Sequence, residues 1–189
     1  EEYLKEQDGK THFQFVNSLF GGSIPKEFVP AIQKGFETAM TTGVLAGYPM
    51  ESMKVRVFDG SFHQVDSDAM SFELCAKQGY REAGRKAKPV LLEPIMKVEV
   101  LTPDQYMGDV TGDLNRRRGM LEGMDSKHGV QVIKAKVPLS EMFGYVTQLR
   151  SLSSGRATST MEFSHYNPAP NNIAEEVIAK AKGKMKVED

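Results

Sequence analysis

The 189-residue sequence contains one cysteine, Cys75, no tryptophan and almost no net charge: 24 basic and 25 acidic side chains leave −1. A lone cysteine excludes a disulfide framework and any cysteine-rich zinc site, and suits a reducing compartment. No apolar run approaches the roughly 18 residues a membrane span needs. The opening residues, Glu1-Glu2-Tyr3-Leu4-Lys5, form neither a signal peptide nor an initiator-methionine start, so a cytosolic, trimmed fragment is expected. Near neutrality withholds the whole-chain electrostatic signature of a nucleic-acid binder. The usual catalytic signatures are missing too: there is no G-x-x-x-x-G-K-[ST], no G-x-G-x-x-G after a strand, no H-E-x-x-H and no G-x-S-x-G. His12, His63, His128 and His165 lie in four separate segments, none with a second histidine or a cysteine at metal-ligand spacing. No catalytic residue, bound cofactor or metal site is therefore expected within this sequence.

What is present is an ordinary globular composition, 40% hydrophobic and 26% charged. A chain of this length hides about 70% of its unfolded surface, enough for a real core without cross-links. Charge becomes informative only locally. Among Arg81, Arg85, Lys86 and Lys88 the only acid is Glu82, Arg116, Arg117 and Arg118 are consecutive, and no acid lies between Glu141 and Glu162. Each cluster suits a solvated face; together they are compatible with a phosphate-facing side.

Periodicity supplies the elements. His12–Val16 alternates as a short strand, and Phe28, Ile32, Phe36 and Met40 make an apolar helix stripe starting near Val29 and stopping at Gly43. Met53, Val55 and Val57 alternate with Lys54 and Arg56 as a half-exposed strand. Asp59-Gly60 signals a turn, and Asp66 or Ser67 is the expected cap of a helix reaching Arg85 or Lys86, with Met70, Leu74, Ala76 and Tyr80 apolar. Cys75 lies mid-helix and reads as an inert core thiol. Val90–Leu92 and Ile95–Leu101 are strand-like, joined at Pro94, and a domain boundary is expected near Leu92-Glu93.

A shift of 36 residues superposes Gly108 on Gly144, Val110 on Val146, Thr111 on Thr147 and Gly119 on Gly155. Residues 95–127 and 129–164 then each read strand, helix, strand, with Asp104 and Ser140 as caps. The first helix presents Tyr106, Met107, Val110 and Leu114, the second Met142, Phe143, Val146 and Leu149. Two such halves make βαββαβ, the ferredoxin-like arrangement, which by itself says little about activity. Tyr166–Pro170 reads as a linker before a last helix that ends at Gly183.

Two loops carry the chemical interest. His63 follows Phe62 at the tip of a strand–helix connection, where imidazole and aromatic faces can stack on nucleotides. His63 and Asp66 could instead form an acid–base pair, although a capping role for Asp66 is the simpler reading. Arg150-Ser151-Leu152-Ser153-Ser154-Gly155-Arg156 joins a helix to a strand; its small residues would let backbone amides approach a phosphate, and a plain solvated loop is the alternative. Arg116–Arg118 also suits a helix C-terminus, where cations favour the dipole.

From Phe13 onward the chain resembles the C-terminal part of the bacterial elongation factor G family. The resemblance rests on Gly21-Gly22-Ser23-Ile24-Pro25-Lys26-Glu27, Asp59 through Ser67, Leu92-Glu93-Pro94-Ile95-Met96, Tyr106 through Gly119, and Pro138 through Tyr145. It implies an α+β protein of two two-layer α/β sandwich domains. The first, residues 1–92, has a left-handed βαβ crossover and is incomplete at its N-terminus; the second, 93–166, is ferredoxin-like; 167–189 is a linker and a helix packing back on the first. It implies translocation of transfer RNA and messenger RNA on the ribosome, in the cytoplasm, with GTP and magnesium handled by a domain absent from this sequence. The implied partners are ribosomal RNA of both subunits and the transfer RNA–messenger RNA duplex at the decoding region, with no membrane and no DNA. The tip-loop residues Asp59, Gly60, Ser61, Phe62, His63, Gln64 and Asp66 would meet that duplex, and Arg150, Ser151, Ser153, Ser154, Arg156, Arg116 and Arg117 would face ribosomal RNA. Alternatives are a paralogous translational GTPase, such as a ribosome protection factor, and a small-ligand-binding ferredoxin-like module. The tip loop favours the elongation factor.

Overall fold

The computed structural model describes residues 12–127 and 129–185; His128, one of the four histidines, lies outside them. The described chain divides into two compact units, one of residues 12–89 with 171–185 and the other of residues 90–170. No helix among the described residues is long and apolar enough to cross a membrane.

In the first unit, strand β1 (His12–Asn17) pairs in parallel with β2 (Ser52–Val57), and helix α1 (Val29–Ala39) forms the connection between them. Helix α2 (Ala69–Lys86) follows. The core holds Ile24, Ile32 and Ala76, with Phe15, Leu19, Phe28, Phe36, Val57 and Phe72 packed around them. α1 and α2 meet closely at Gly35, where an added Cβ would stand 2.6 Å from the Glu73 carbonyl oxygen and 2.7 Å from the Ala76 Cβ. Lys34 and Lys77 both pair with Glu73 across and along this contact, at 3.4 and 2.7 Å. Further along α2, the Tyr80 hydroxyl donates to the Thr42 carbonyl at 3.1 Å. Ala76 and Tyr80 are thus the inward positions. Met70, Leu74 and Cys75 are exposed, so the thiol is no core residue. α1 stops at Ala39, before Gly43, whose N–H instead closes a turn on the Tyr48 carbonyl.

The second unit is a four-stranded antiparallel sheet in the order β4-β5-β3-β6, built from β3 (Leu92–Pro103), β4 (Met120–Lys127), β5 (Val130–Pro138) and β6 (Thr158–Pro168). Helices α3 (Met107–Arg116) and α4 (Tyr145–Leu152) fall after β3 and β5, completing the ferredoxin-like βαββαβ. Pro94 does not break β3. It pairs with Tyr166 beside a bulge at Ile95/Met96, a position where a missing N–H is tolerated. Tyr166–Pro168 are the end of β6 rather than a linker, and the final helix α5 (Asn171–Met185) runs past Gly183.

Eleven residues form this core, among them Val98, Val100, Val110, Leu114, Ile133, Val137 and Leu149, all nearly or wholly out of solvent. Each helix is preceded by one turn of 3-10 helix, and neither has the expected side-chain cap. Asp104 instead accepts from Gln131 at 2.7 Å. The stripe of α4 also differs from its periodic reading. Gly144, at φ 72°, delays the helix to Tyr145, so Met142, Tyr145 and Leu149 turn inward while Phe143 and Val146 stand in solvent.

Candidate nucleic-acid interface

The loop leaving β2 is pinned at three places. An added Cβ at Gly60 would meet Ile24 Cδ1, so a larger residue there would require the Ile24 side chain to shift. Phe62 is half-buried, its ring 5.7 Å from that of Phe28, which stacks in turn on Phe72 at 4.9 Å. At the far end, Asp68 caps α2, accepting from the Ser71 N–H at 2.7 Å and the Ser71 hydroxyl at 2.5 Å. These bonds hold the Asp68 carboxyl below the usual range, the Ser71 hydroxyl contributing most. The cap is therefore neither Asp66 nor Ser67.

Between these pins the chain folds on itself. The His63 N–H donates to the Ser67 hydroxyl and the Ser67 N–H to the His63 carbonyl, both at 3.0 Å, closing a turn that leaves His63, Gln64, Val65 and Asp66 exposed. Asp59 accepts from the Gly60 N–H at 2.8 Å and is exposed, as is Ser61. Of the seven tip residues, Phe62 is half-buried against Phe28, and Gly60 lies against Ile24. His63 and Asp66 form no ion pair, and no third polar group joins them into an acid–base site among the described residues.

The contact that sequence reasoning did not foresee is that of Ile24 with Gly60; of the residues before Ile24, Phe20 is 92% exposed and Gly21 and Gly22 are left-handed.

The Ser-rich loop is built differently. α4 ends in a Schellman-type turn: Gly155 N–H donates to the Arg150 carbonyl at 2.8 Å, and Ser154 and Gly155 take φ of 50° and 75°. Ser153 is fully buried; its hydroxyl donates to the Leu149 carbonyl at 2.7 Å and accepts from the Ala157 N–H at 3.1 Å. The N–H groups of Ser153, Gly155, Arg156 and Ala157 are all engaged inside the turn. These four amides are therefore not free to meet a phosphate. Ser153 is excluded from that surface; Arg150, Ser151, Ser154 and Arg156 remain on it, exposed.

Arg116 and Arg117 part company. The Arg116 side chain is 71% exposed and reaches Asp113 at 3.3 Å. That of Arg117 is 17% exposed: it pairs with the buried Asp113 at 2.8 Å, donates to the Glu141 and Phe143 carbonyls, and lies 5.1 Å over the Tyr145 ring. Arg117 is a strut, not an RNA-facing cation. Arg118, in the left-handed region, grips Glu93 through two bonds of 2.5 and 3.1 Å, and these bonds chiefly raise its pKa.

The geometry thus defines a two-unit α+β protein, the second unit ferredoxin-like, each unit displaying one polar loop whose neighbours in sequence are tied inward. Comparison with known proteins is specific. The family model described as elongation factor G, domain IV matches residues 2–88, and that of the elongation factor G C-terminus matches residues 90–177. An elongation factor G of Cytophaga hutchinsonii is 63% identical over 182 residues, covering 96% of this chain and 26% of that protein. One of Amoebophilus asiaticus is 58% identical over 177 residues, covering 94% and 25%. A crystal structure from Thermus thermophilus superposes with a TM-score of 0.81 at 37% identity, over 92% of this chain and 26% of that one. The chain belongs to the elongation factor G family and spans about a quarter of the length of these relatives.

Proposed function

We propose that this chain is the ribosome-contacting portion of a cytoplasmic translation factor that moves transfer RNA and messenger RNA through the ribosome. The observation that carries the reading is the His63 turn. It is a rigidly pinned loop whose exposed groups can stack or hydrogen-bond but have no acid–base partner, which suits contact with RNA and not bond-making. The first unit works as a shaped wedge at the decoding region, with His63 and Gln64 meeting the transfer RNA–messenger RNA duplex. The second unit holds large-subunit RNA through Arg150 and Arg156, with Arg116 at its flank. GTP and magnesium do not fit this sequence, which has no phosphate-binding loop; in this reading the whole factor handles nucleotide outside these 189 residues.

The test uses the whole factor. His63→Ala slows translocation while GTP hydrolysis stays near wild type, because the tip acts after the nucleotide site has been engaged. Equal loss of both rates refutes the assignment. Arg156→Gln weakens ribosome binding and lowers the slope of log affinity against log salt by up to about one, the change expected for one lost phosphate contact. A salt-independent loss identifies a folding effect instead.

A further inference from the structure

The 36-residue repeat of the second unit sets Met107 against Phe143, Gly108 against Gly144 and Val110 against Val146. The first half turns both apolar positions inward: Met107 is half-buried against the core and Val110 is wholly out of solvent. The second half turns the same two positions outward, Phe143 being 81% exposed and Val146 exposed as well. The difference lies in the glycine. Gly108 is the second residue of α3, whereas Gly144 takes a left-handed φ of 72° and puts off the start of α4 to Tyr145.

Single exposed apolar side chains are ordinary, but Phe143 is held in place as a passively exposed ring is not. The buried side chains of Met142 and Tyr145 stand on either side of the Phe143-Gly144 pair. Arg117, itself fixed by Asp113 at 2.8 Å, donates to the carbonyls of Glu141 and Phe143, the latter at 3.4 Å. Phe58 lies under the Arg56 guanidinium and Phe163 packs on Tyr166, whereas the Phe143 ring has no such contact among the described residues. A fixed backbone with a bare ring is a pre-organised anchor, because docking on it costs only the freedom of two side-chain torsions.

Charge decides what that anchor suits. Val146 and Arg150 are four residues apart in α4 and both exposed, so they share one helix face. Neither Arg150 nor Arg156 has an ion-pair partner among the described residues. No acid lies between Glu141 and Glu162, and Glu141 itself faces Arg118 at 3.8 Å. A bare ring leading into a face of unneutralised cations complements a partner that is anionic and also carries flat apolar groups, which is the chemistry of a nucleotide strand.

We propose that Phe143 is a stacking platform for one unpaired base of RNA, with Val146 as its apolar flank and Arg150 meeting the phosphates of the same strand. Every base has a flat face, so such a platform needs a planar ring and reads no particular sequence. It presupposes the RNA-facing reading of the second unit given above, and adds a contact that charge does not supply.

Equilibrium binding of the 189-residue chain to purified bacterial ribosomes across a salt series tests it. Phe143→Ala weakens binding about tenfold, the order for one lost base–aromatic stack, and leaves the slope of log affinity against log salt unchanged because no charge is removed. Phe143→Trp keeps or raises affinity, whereas Phe143→Leu, which retains apolar bulk without a flat face, falls close to Phe143→Ala. All three keep the wild-type melting temperature, since the ring is in solvent. Wild-type affinity in Phe143→Ala overturns the platform, and so does a lowered melting temperature, which would make the ring structural. Wild-type affinity in Phe143→Leu, or a loss in Phe143→Trp as large as in Phe143→Ala, overturns a base as the occupant and points to an apolar pocket of a ribosomal protein. Failure of the unaltered chain to bind, or an unchanged slope in Arg156→Gln, instead overturns the RNA-facing reading itself.

Discussion

The His63 turn and the Ser-rich turn place exposed polar groups by contrasting means. The first hangs from a sparse core of three buried residues among those described, held by a glycine packed on Ile24, an aromatic pair and one aspartate cap. The second rises from a core of eleven buried residues, and nearly every amide in it is already bonded. Both spend part of a conspicuous motif on the scaffold: Phe62 and Gly60 in one, Ser153 in the other. A motif that looks uniformly functional in sequence divides, once folded, into groups that hold the loop and groups that face outward.

The largest effect that would test the difference in cores is Leu114→Ala. Leu114 is fully buried in the dense core, and truncation should cost about 3–5 kcal/mol in denaturant unfolding of the second unit. A cost below about 1 kcal/mol would show that this core is not the rigid platform described.

Next is alkaline pH. Burial raises the Tyr145 phenol to about 12, Asp113 adding to it and Arg117 opposing. A group with a raised folded pKa stabilises fully below its unfolded value and loses that contribution as pH rises through the folded one. Stability should therefore fall between pH 10 and 12, by about 2–3 kcal/mol. Tyr145→Phe should flatten that loss and leave neutral-pH stability nearly unchanged, because the buried hydroxyl has no hydrogen-bond partner. A steep alkaline loss persisting in Tyr145→Phe would assign it to another group.

In the first unit, Gly35→Ala should cost about 1–3 kcal/mol by pushing α2 off α1. The smallest effect concerns the tip. Asp68→Ala should lower the melting temperature modestly at pH 7. Because the folded Asp68 pKa is depressed, the difference from wild type should vanish as pH falls through that value. A difference that survives strong acid would mean that the cap is not electrostatic.

The ferredoxin-like unit was readable because its evidence is periodic: a repeat of 36 residues with apolar positions at Val110, Leu114 and Leu149 reports a buried face directly. Failures fell where backbone geometry overrides periodicity. Gly144 in a left-handed conformation shifts α4 by enough to expose Phe143 and Val146, and the bulge at Ile95/Met96 absorbs a proline that otherwise reads as a break. The site was half legible. His63, Gln64, Arg150 and Arg156 stand where their motifs suggest, whereas the inward roles of Arg117 and Ser153 depend on Asp113, Leu149 and Ala157, partners that no local pattern names.

Directed hydroxyl-radical probing tests most directly the claim that the two loops are separate RNA contacts. Cys75 is exposed, so the probe is tethered in a Cys75→Ser background, through His63→Cys in one variant and Ser151→Cys in another. On bound ribosomes the account predicts strand scission in small-subunit RNA at the decoding region from position 63, and in large-subunit RNA from position 151. Scission of the same strand from both positions, or none from position 63, would contradict it.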